Sequence, residues 1–313
     1  MTSTHRSTAP RLVLLGGPGG VGTSAACADF ADHYARAGQQ VAVADLDPWN
    51  GASSRLQGTS VEVVTSSAEG MARPAGRLLD RVGLDPRLAS ELVVSPGSGY
   101  LELIHRLGML TERTDLDVVL VDVGCHIVDV VSTADRLPWL VTHLLRAQRG
   151  WLSSARPRAA TRLSWWPGAD THAQMQRVLD RVVGWAGDLS AAQAYLVGEE
   201  SDPRTRRLRL GLALHELGAP SVTGGASLLP EPAPRSAATM VERDTGWAWR
   251  LTVPGLRSHE VRVDRSGDDL AVEVLGMRRL VTLPSALRRF RTAGARVSAD
   301  HLEISFVPKE STK

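Results

Sequence analysis

The sequence predicts an α/β protein, a mostly parallel sheet flanked by helices, followed by a small all-β sandwich. Three observations carry the prediction. An apolar run, a glycine cluster, a helical repeat and a second apolar run succeed one another between residues 11 and 46. A strand–helix–strand unit of that length demands parallel pairing. A continuous apolar run recurs at 117–123, DVVLVDV, as a strand covered on both faces requires. Beyond a proline cluster at 230–234 the texture changes to short alternating runs with turn signals between them, the pattern of a sandwich.

In chain order, residues 11–16 (RLVLLG) read as a buried strand that stops at glycines. A helix is placed at 23–37, where Ala26, Phe30, His33 and Tyr34 recur at helical spacing and Gly38 ends it. A second strand, 41–46, runs into Asp47-Pro48. Further strands are expected at 91–95, 117–123, 161–165, 193–197 and 226–229, with helices at 98–112, 134–148 and 170–186. The stretch PEPAP can continue neither a helix nor a central strand. It sets a linker at 230–244 between an α/β domain over 11–230 and a sandwich over 245–308, with flexible tails at 1–10 and 309–313. Sandwich strands are expected at 247–253, 259–265, 269–275, 278–283, 293–297 and 301–307.

Composition narrows the function classes. With 43% hydrophobic and 22% charged residues, the chain is an ordinary globular protein and not a disordered one. A formal net charge of +2, with no basic run interleaved with aromatics, implies no nucleic-acid partner. Cys27 and Cys125 form no CxxC pair, which argues against a disulfide framework or structural zinc and for a reducing compartment. The run Leu12 to Leu15 is too short for a secretory leader, and Val118 to Val131 is broken by Asp122 and Asp129 and cannot span a bilayer. A cytoplasmic location is expected.

The chemistry sits in the glycine cluster. Gly17-Pro18-Gly19-Gly20-Val21-Gly22-Thr23-Ser24 matches the phosphate-loop pattern G-x-x-x-x-G-K-[ST] except at the lysine, where Thr23 stands. Backbone N–H groups at a helix start hold an anion without side chains. The missing lysine would add a charge-assisted bond of roughly 1.5–3 kcal/mol, so nucleotide binding is expected to be weaker by about one to two powers of ten. Transfer suffers further, because charge on the phosphates grows in the transition state. The only lysines of the chain are Lys309 and Lys313.

On these residues the chain resembles the arsenite-pump and tail-anchored-protein-targeting ATPases, dimeric relatives of the ParA/MinD group. That family carries G-K-G-G-V-G-K-T-T; here both lysine positions differ, as Pro18 and Thr23. The resemblance aligns the family's first switch with Asp45-Leu46-Asp47-Pro48-Trp49-Asn50, leaving Asp47 as the water-positioning acid. It aligns the second switch with Asp122-Val123-Gly124-Cys125-His126-Ile127, keeping only the Walker-B aspartate, and makes Ser24 and Asp122 the magnesium-side residues. Gly198 or Glu199 stands where the family has an adenine-reading asparagine. The segment Leu251 to Val307 is similar to the α-crystallin, or small heat-shock, domain that ends some bacterial members.

The resemblance implies a P-loop NTPase-type domain with nucleotide contacts at Gly17, Gly19, Gly20, Val21, Gly22, Thr23 and Ser24, and a vestigial catalytic Asp47. ATP and magnesium would bind weakly. A degenerate ATPase is expected, acting as a binding, chaperone-like targeting or regulatory subunit. It would be a homodimer, or a heterodimer with an active paralogue, and a membrane-protein client stays open. Two alternatives remain: an active Mg-ATPase with a non-standard or partner-supplied basic residue, and an NAD(P)-binding oxidoreductase. The second rests on Gly17-x-Gly19-x-x-Gly22 with Asp45 as the ribose acid. Cys125 and His126, Trp165-Trp166, Trp247 and Trp249 read as packing and the arginines at 204, 206, 207 and 209 as a solvated helix face; Leu137 to Leu152 reads as core by default and as the best candidate for a partner-facing surface.

Overall fold

The computed structural model describes residues 9–46, 51–65, 98–139, 169–223 and 228–308. The expected strands at 91–95 and 161–165, Asp47, Trp165-Trp166 and most of the 137–152 surface lie outside these residues. The α/β part comprises β1 (Arg11–Gly16), α1 (Thr23–Arg36), β2 (Val41–Asp45), α2 (Gly51–Arg55), β3 (Glu62–Thr65), α3 (Ser98–Thr111), β4 (Val118–Gly124) and helical residues 127–139, here α4. It continues with α5 (Ala169–Ser190), β5 (Gln193–Val197), α6 (Pro203–Leu214) and β6 (Ser221–Val222). The six strands are ordered β3-β2-β4-β1-β5-β6, and β2 runs parallel to both β3 and β4. The middle of the sheet is sealed on both faces: Val13, Leu14 and Leu15 of β1 and Val119, Leu120 and Val121 of β4 are fully buried. That is why these strands read as unbroken apolar runs.

The sandwich follows as β7 (Thr239–Arg243), β8 (Gly246–Thr252), β9 (Val261–Ser266), β10 (Asp269–Val274), β11 (Met277–Thr282), a short helix α7 (Ser285–Arg288), β12 (Phe290–Ser298) and β13 (His301–Pro308). A three-stranded sheet, β11-β10-β9, and a four-stranded sheet, β12-β13-β8-β7, share one core. Its centre is Trp249 and Leu251 of β8, Leu270, Val272 and Val274 of β10, and Leu302, Ile304 and Phe306 of β13. Alternate residues of β13 point out, so the strand is amphipathic with period two. A register shift between Thr292 and Gly294 puts a bulge in the outermost strand β12.

The chain divides into two compact units interleaved in sequence, Met1–Val13, Ala31–Asp122 and Thr133–Ala192 against Leu14–Phe30, Val123–Ser132 and Gln193–Lys313. In the first, α3 crosses α5 where Gly108 admits the Trp185 ring. The ring stacks on His105 at 5.2 Å between centroids, and its Nε1 donates to Glu112 at 2.9 Å. The second unit joins the glycine loop, the start of α4, β5, α6 and the sandwich.

Within that second unit α6 is the hub. Leu210, Ala213 and Leu214 belong to the sandwich core. Gly211 leaves no room for a side chain: a Cβ there would lie 2.5 Å from Met277 Sδ of β11 and 2.8 Å from both methyls of Val128 of α4. Arg206 Nη1 and Nη2 each donate to Glu260 at 2.8 Å, and Nη2 also reaches the Gly255 carbonyl at 2.5 Å. Arg279 of β11 donates to the Leu214 carbonyl at 2.8 Å and pairs with Glu216 at 2.9 Å. Of the α6 arginines expected on a solvated face, Arg204 and Arg207 are exposed as expected, whereas Arg206 is drawn into this contact. Arg209 too is engaged, with Ser221 Oγ at 2.6 Å and Glu200 at 3.2 Å. The helix starts cleanly because Asp202 caps it and Pro203 occupies its first turn.

Two boundary expectations change. No strand occupies 228–229; β5 pairs instead with Ser221–Val222, a register set by Leu196 N donating to the Pro220 carbonyl at 3.0 Å. The segment read as a linker is strapped down: Tyr195 Oη donates to the Pro230 carbonyl at 3.1 Å, Ser236 N donates to Glu216 O at 3.3 Å, and Ala233 packs on Gly218. Within it, Thr239–Arg243 is a sandwich strand. Among the described residues, no helix is long and apolar enough to cross a membrane.

The hydrogen-bonded Arg206 guanidinium, opposed by burial and helped by the Arg257 N–H, lowers Glu260 from the usual 4.5 to about 2. A folded-state pKa below the unfolded one stabilises the fold fully above about pH 4.5 and loses that contribution as pH falls toward 2. The stake is up to about 3 kcal/mol. Denaturant melts of the wild type should lose stability across this window, and Glu260→Gln should show a shallower acid slope and a lower starting stability. Gly108→Ala, which drives a methyl into the Trp185 ring, should cost about 1–3 kcal/mol in the same melts.

Candidate functional site

The glycine loop divides by physical cause. Gly16 and Gly17 are small because neighbours press on them: a Cβ on Gly16 would meet Ile127 of α4 at 2.7 Å, and one on Gly17 would meet Thr23 Oγ1 at 2.5 Å and the Val197 carbonyl at 2.7 Å. Gly19, Gly20 and Gly22 are glycine because the backbone takes left-handed values there, φ 79°, 71° and 86°, where an L side chain is strained. Among the described residues, no atom outside the adjoining residues comes within 4 Å of a Cβ built at these three positions. The loop is therefore anchored at its base and open at its crown. Such turns expose backbone N–H groups to an anion.

Its base is tied to the end of β4 by Gly17 N donating to the Gly124 carbonyl at 3.0 Å. Its crown runs into α1, where Ala26 N donates to Gly22 O at 2.9 Å. Thr23, at the lysine position, is 7% exposed, with its hydroxyl tucked under Gly17. Val21 and Ser24 are both half-buried. Pro18, at the other lysine position, packs toward Gly198 at the end of β5. Neither position where the pattern has lysine carries a charged side chain.

The carboxylates at the strand ends lie side by side. Asp45 of β2 and Asp122 of β4 are register partners, both fully buried, and Leu46 N donates to the Asp122 carbonyl at 3.0 Å. Asp45 Oδ2 accepts two bonds of 2.7 Å, from Ser53 N and Ser53 Oγ. That bond joins β2 to α2 and holds the strand end in place. Sequence reasoning gave Asp45 a ribose role and missed Ser53, which no motif marks. Asp122 lies two residues before the end of the buried strand β4. After it, Cys125 and His126 are exposed, and His126 Nδ1 lies 3.4 Å from Asp129 Oδ2.

Residues 244–306 match the family model of the HSP20-like domain found in ArsA, over the segment that the sequence likens to an α-crystallin domain. A curated relative, an uncharacterised protein of Streptomyces coelicolor, is 28% identical over 240 residues. The alignment covers 76% of this chain and 56% of the relative, so this chain spans little more than half of that protein's length. Among solved structures, HSP18.5 from E. histolytica is similar at 14% identity over 25% of this chain and 92% of its own, with a TM-score of 0.20. The signal recognition particle receptor FtsY from Elizabethkingia anophelis, in complex with GDP, is similar at 11% identity over 71% of this chain and 58% of its own, with a TM-score of 0.27.

The two kinds of glycine make a clean contrast in thermal melts. Gly17→Ala forces a methyl onto Thr23 and a backbone carbonyl and should lower stability by about 1–3 kcal/mol. Gly20→Ala meets no neighbour and should cost only about 1–2 kcal/mol of backbone strain. If Gly17→Ala were the milder of the two, the packed base described above would be wrong.

Proposed function

We propose that this chain is a degenerate P-loop ATPase of the arsenite-pump and tail-anchored-protein-targeting type. It acts as a binding, chaperone-like targeting or regulatory subunit, with nucleotide turnover weak or lost. The observation that carries the reading is the buried Thr23 side chain at the position where the family's pattern places a phosphate-binding lysine. A hydroxyl held beneath Gly17 brings no charge to the outer phosphates, and the first 308 residues contain no lysine that could replace it. The match of residues 244–306 to the HSP20-like domain found in ArsA supports the family placement and a protein-handling role.

On this reading the amides of Gly19, Gly20, Val21 and Gly22 hold a phosphate weakly, and Ser24 and Asp122 stand on the magnesium side. Asp47 is the vestige of the catalytic acid. Pairing with an active paralogue at the nucleotide face supplies the missing charge and the turnover. One observation favours a second reading, an active Mg-ATPase: Asp122 is buried near the end of β4. Its basic residue would be an arginine or the partner's lysine. The dinucleotide reading is weaker, since Asp45, its ribose acid, is buried and bonded to Ser53.

The isolated chain should hydrolyse ATP no faster than buffer in a phosphate-release assay. By calorimetry, Thr23→Lys should bind Mg-ATP about ten- to a hundredfold more tightly than the wild type. Turnover by the purified wild type alone, abolished by Asp47→Asn, would refute the degenerate-subunit reading in favour of the active enzyme.

A further inference from the structure

The outer face of the four-stranded sheet carries a cleft of about 330 Å³ lined by Arg243, Arg250, Arg296, Ser298, His301 and Glu303. Its origin is the strand register. Arg250 of β8 and Arg296 of β12 are both partners of Glu303 of β13, so the three side chains form one cross-strand row. Leu302 and Ile304, on either side of Glu303, are buried in the core, which turns the row outward. His301, two residues along β13, stands on the same face and partners Ser298.

Glu303 Oε2 accepts from Arg243 Nη2 at 2.6 Å and from Arg250 Nη2 at 2.9 Å. The Arg250 hydrogen bond, opposed by burial and joined by Arg243, holds this carboxyl below the usual glutamate range. Arg296 is exposed and makes no ion pair among the described residues. Three guanidinium groups against one carboxylate leave two positive charges on the lining.

We propose that this cleft docks an acidic, extended peptide segment of a partner protein. Three features select that occupant. The chain already seats a carboxylate between two of the arginines, so the geometry suits carboxylate oxygens, which an arginine fork binds in pairs. Glu303 at the centre repels a compact dianion placed there, whereas carboxylates spaced along a strand can straddle it. Arg296 lies two strand spacings from β8, roughly 10 Å, and side chains two or three residues apart on an extended chain are about 7–10 Å apart. Finally, the cleft reaches from β7 to β12, the two outermost strands, so a chain can enter and leave freely. The proposal goes beyond the subunit role above and uses sandwich residues alone. Its failure leaves the reading of the glycine loop untouched, and ATP measurements do not bear on it.

The test uses the full chain and a fluorescent ten-residue peptide of alternating Glu and Ser, with Gln replacing Glu as the neutral control, read by anisotropy at low salt. The Glu peptide should bind and the Gln peptide should not, and raising the salt should weaken binding. Arg296→Ala should weaken it about tenfold. Arg262→Ala should leave it unchanged, because that exposed arginine of the three-stranded sheet pairs with Asp264. Any of three results would overturn the proposal: no preference for Glu over Gln in the wild type, equal loss in both arginine variants, or inorganic phosphate binding more tightly than the peptide with the same dependence on Arg296. The Glu–Gln comparison is made on the unaltered protein, so it decides even if a variant misfolds.

Discussion

The close packing around Gly211 is the constraint on which the second compact unit depends. A helix residue without a side chain lets Val128 of α4 and Met277 of β11 press on α6 from two sides. Around this contact the polar groups follow. Arg206 closes onto Glu260 and the Gly255 carbonyl, and Arg279 covers the carbonyl at the end of the helix. Burying ion pairs of this kind adds little net stability by itself, but removing one partner strands the other.

Much of the fold was legible because the central strands are sealed on both faces and the sandwich strands on one. Unbroken runs such as 118–123 and alternating ones such as 301–307 write burial directly into the residue pattern. What stayed hidden was short or set by partners far along the chain. Strand β3 has four residues and half-exposed packing, too little for a periodic signal. Residues 230–236 look like a linker by composition, yet Tyr195 and Glu216 claim their backbone, a pairing that no local window can reveal. Arg206 reads as solvated for the same reason, since its partner Glu260 lies 54 residues away.

The site was legible as a motif and opaque as a mechanism of glycine use. The sequence counts glycines without saying why each is there. The structure separates two that yield to neighbours from three that turn the backbone. It also shows where Thr23 and Pro18 go: Thr23 folds inward and Pro18 leans on the β5 end. Asp45 was placed correctly at a strand end, but Ser53, which bonds to its carboxylate, carries no signature eight residues on.

An open antiparallel sheet has rims, and rims invite growth. Strand β12 presents one of them, and its bulge between Thr292 and Gly294 interrupts the regular spacing of N–H and carbonyl groups that a second chain would need. Arg291 and Arg296 flank the interruption, both exposed. A cationic, irregular rim resists edge-to-edge stacking of identical molecules. The bulge therefore protects the protein when it is concentrated, keeping a sandwich with an open side from becoming the first layer of a fibre.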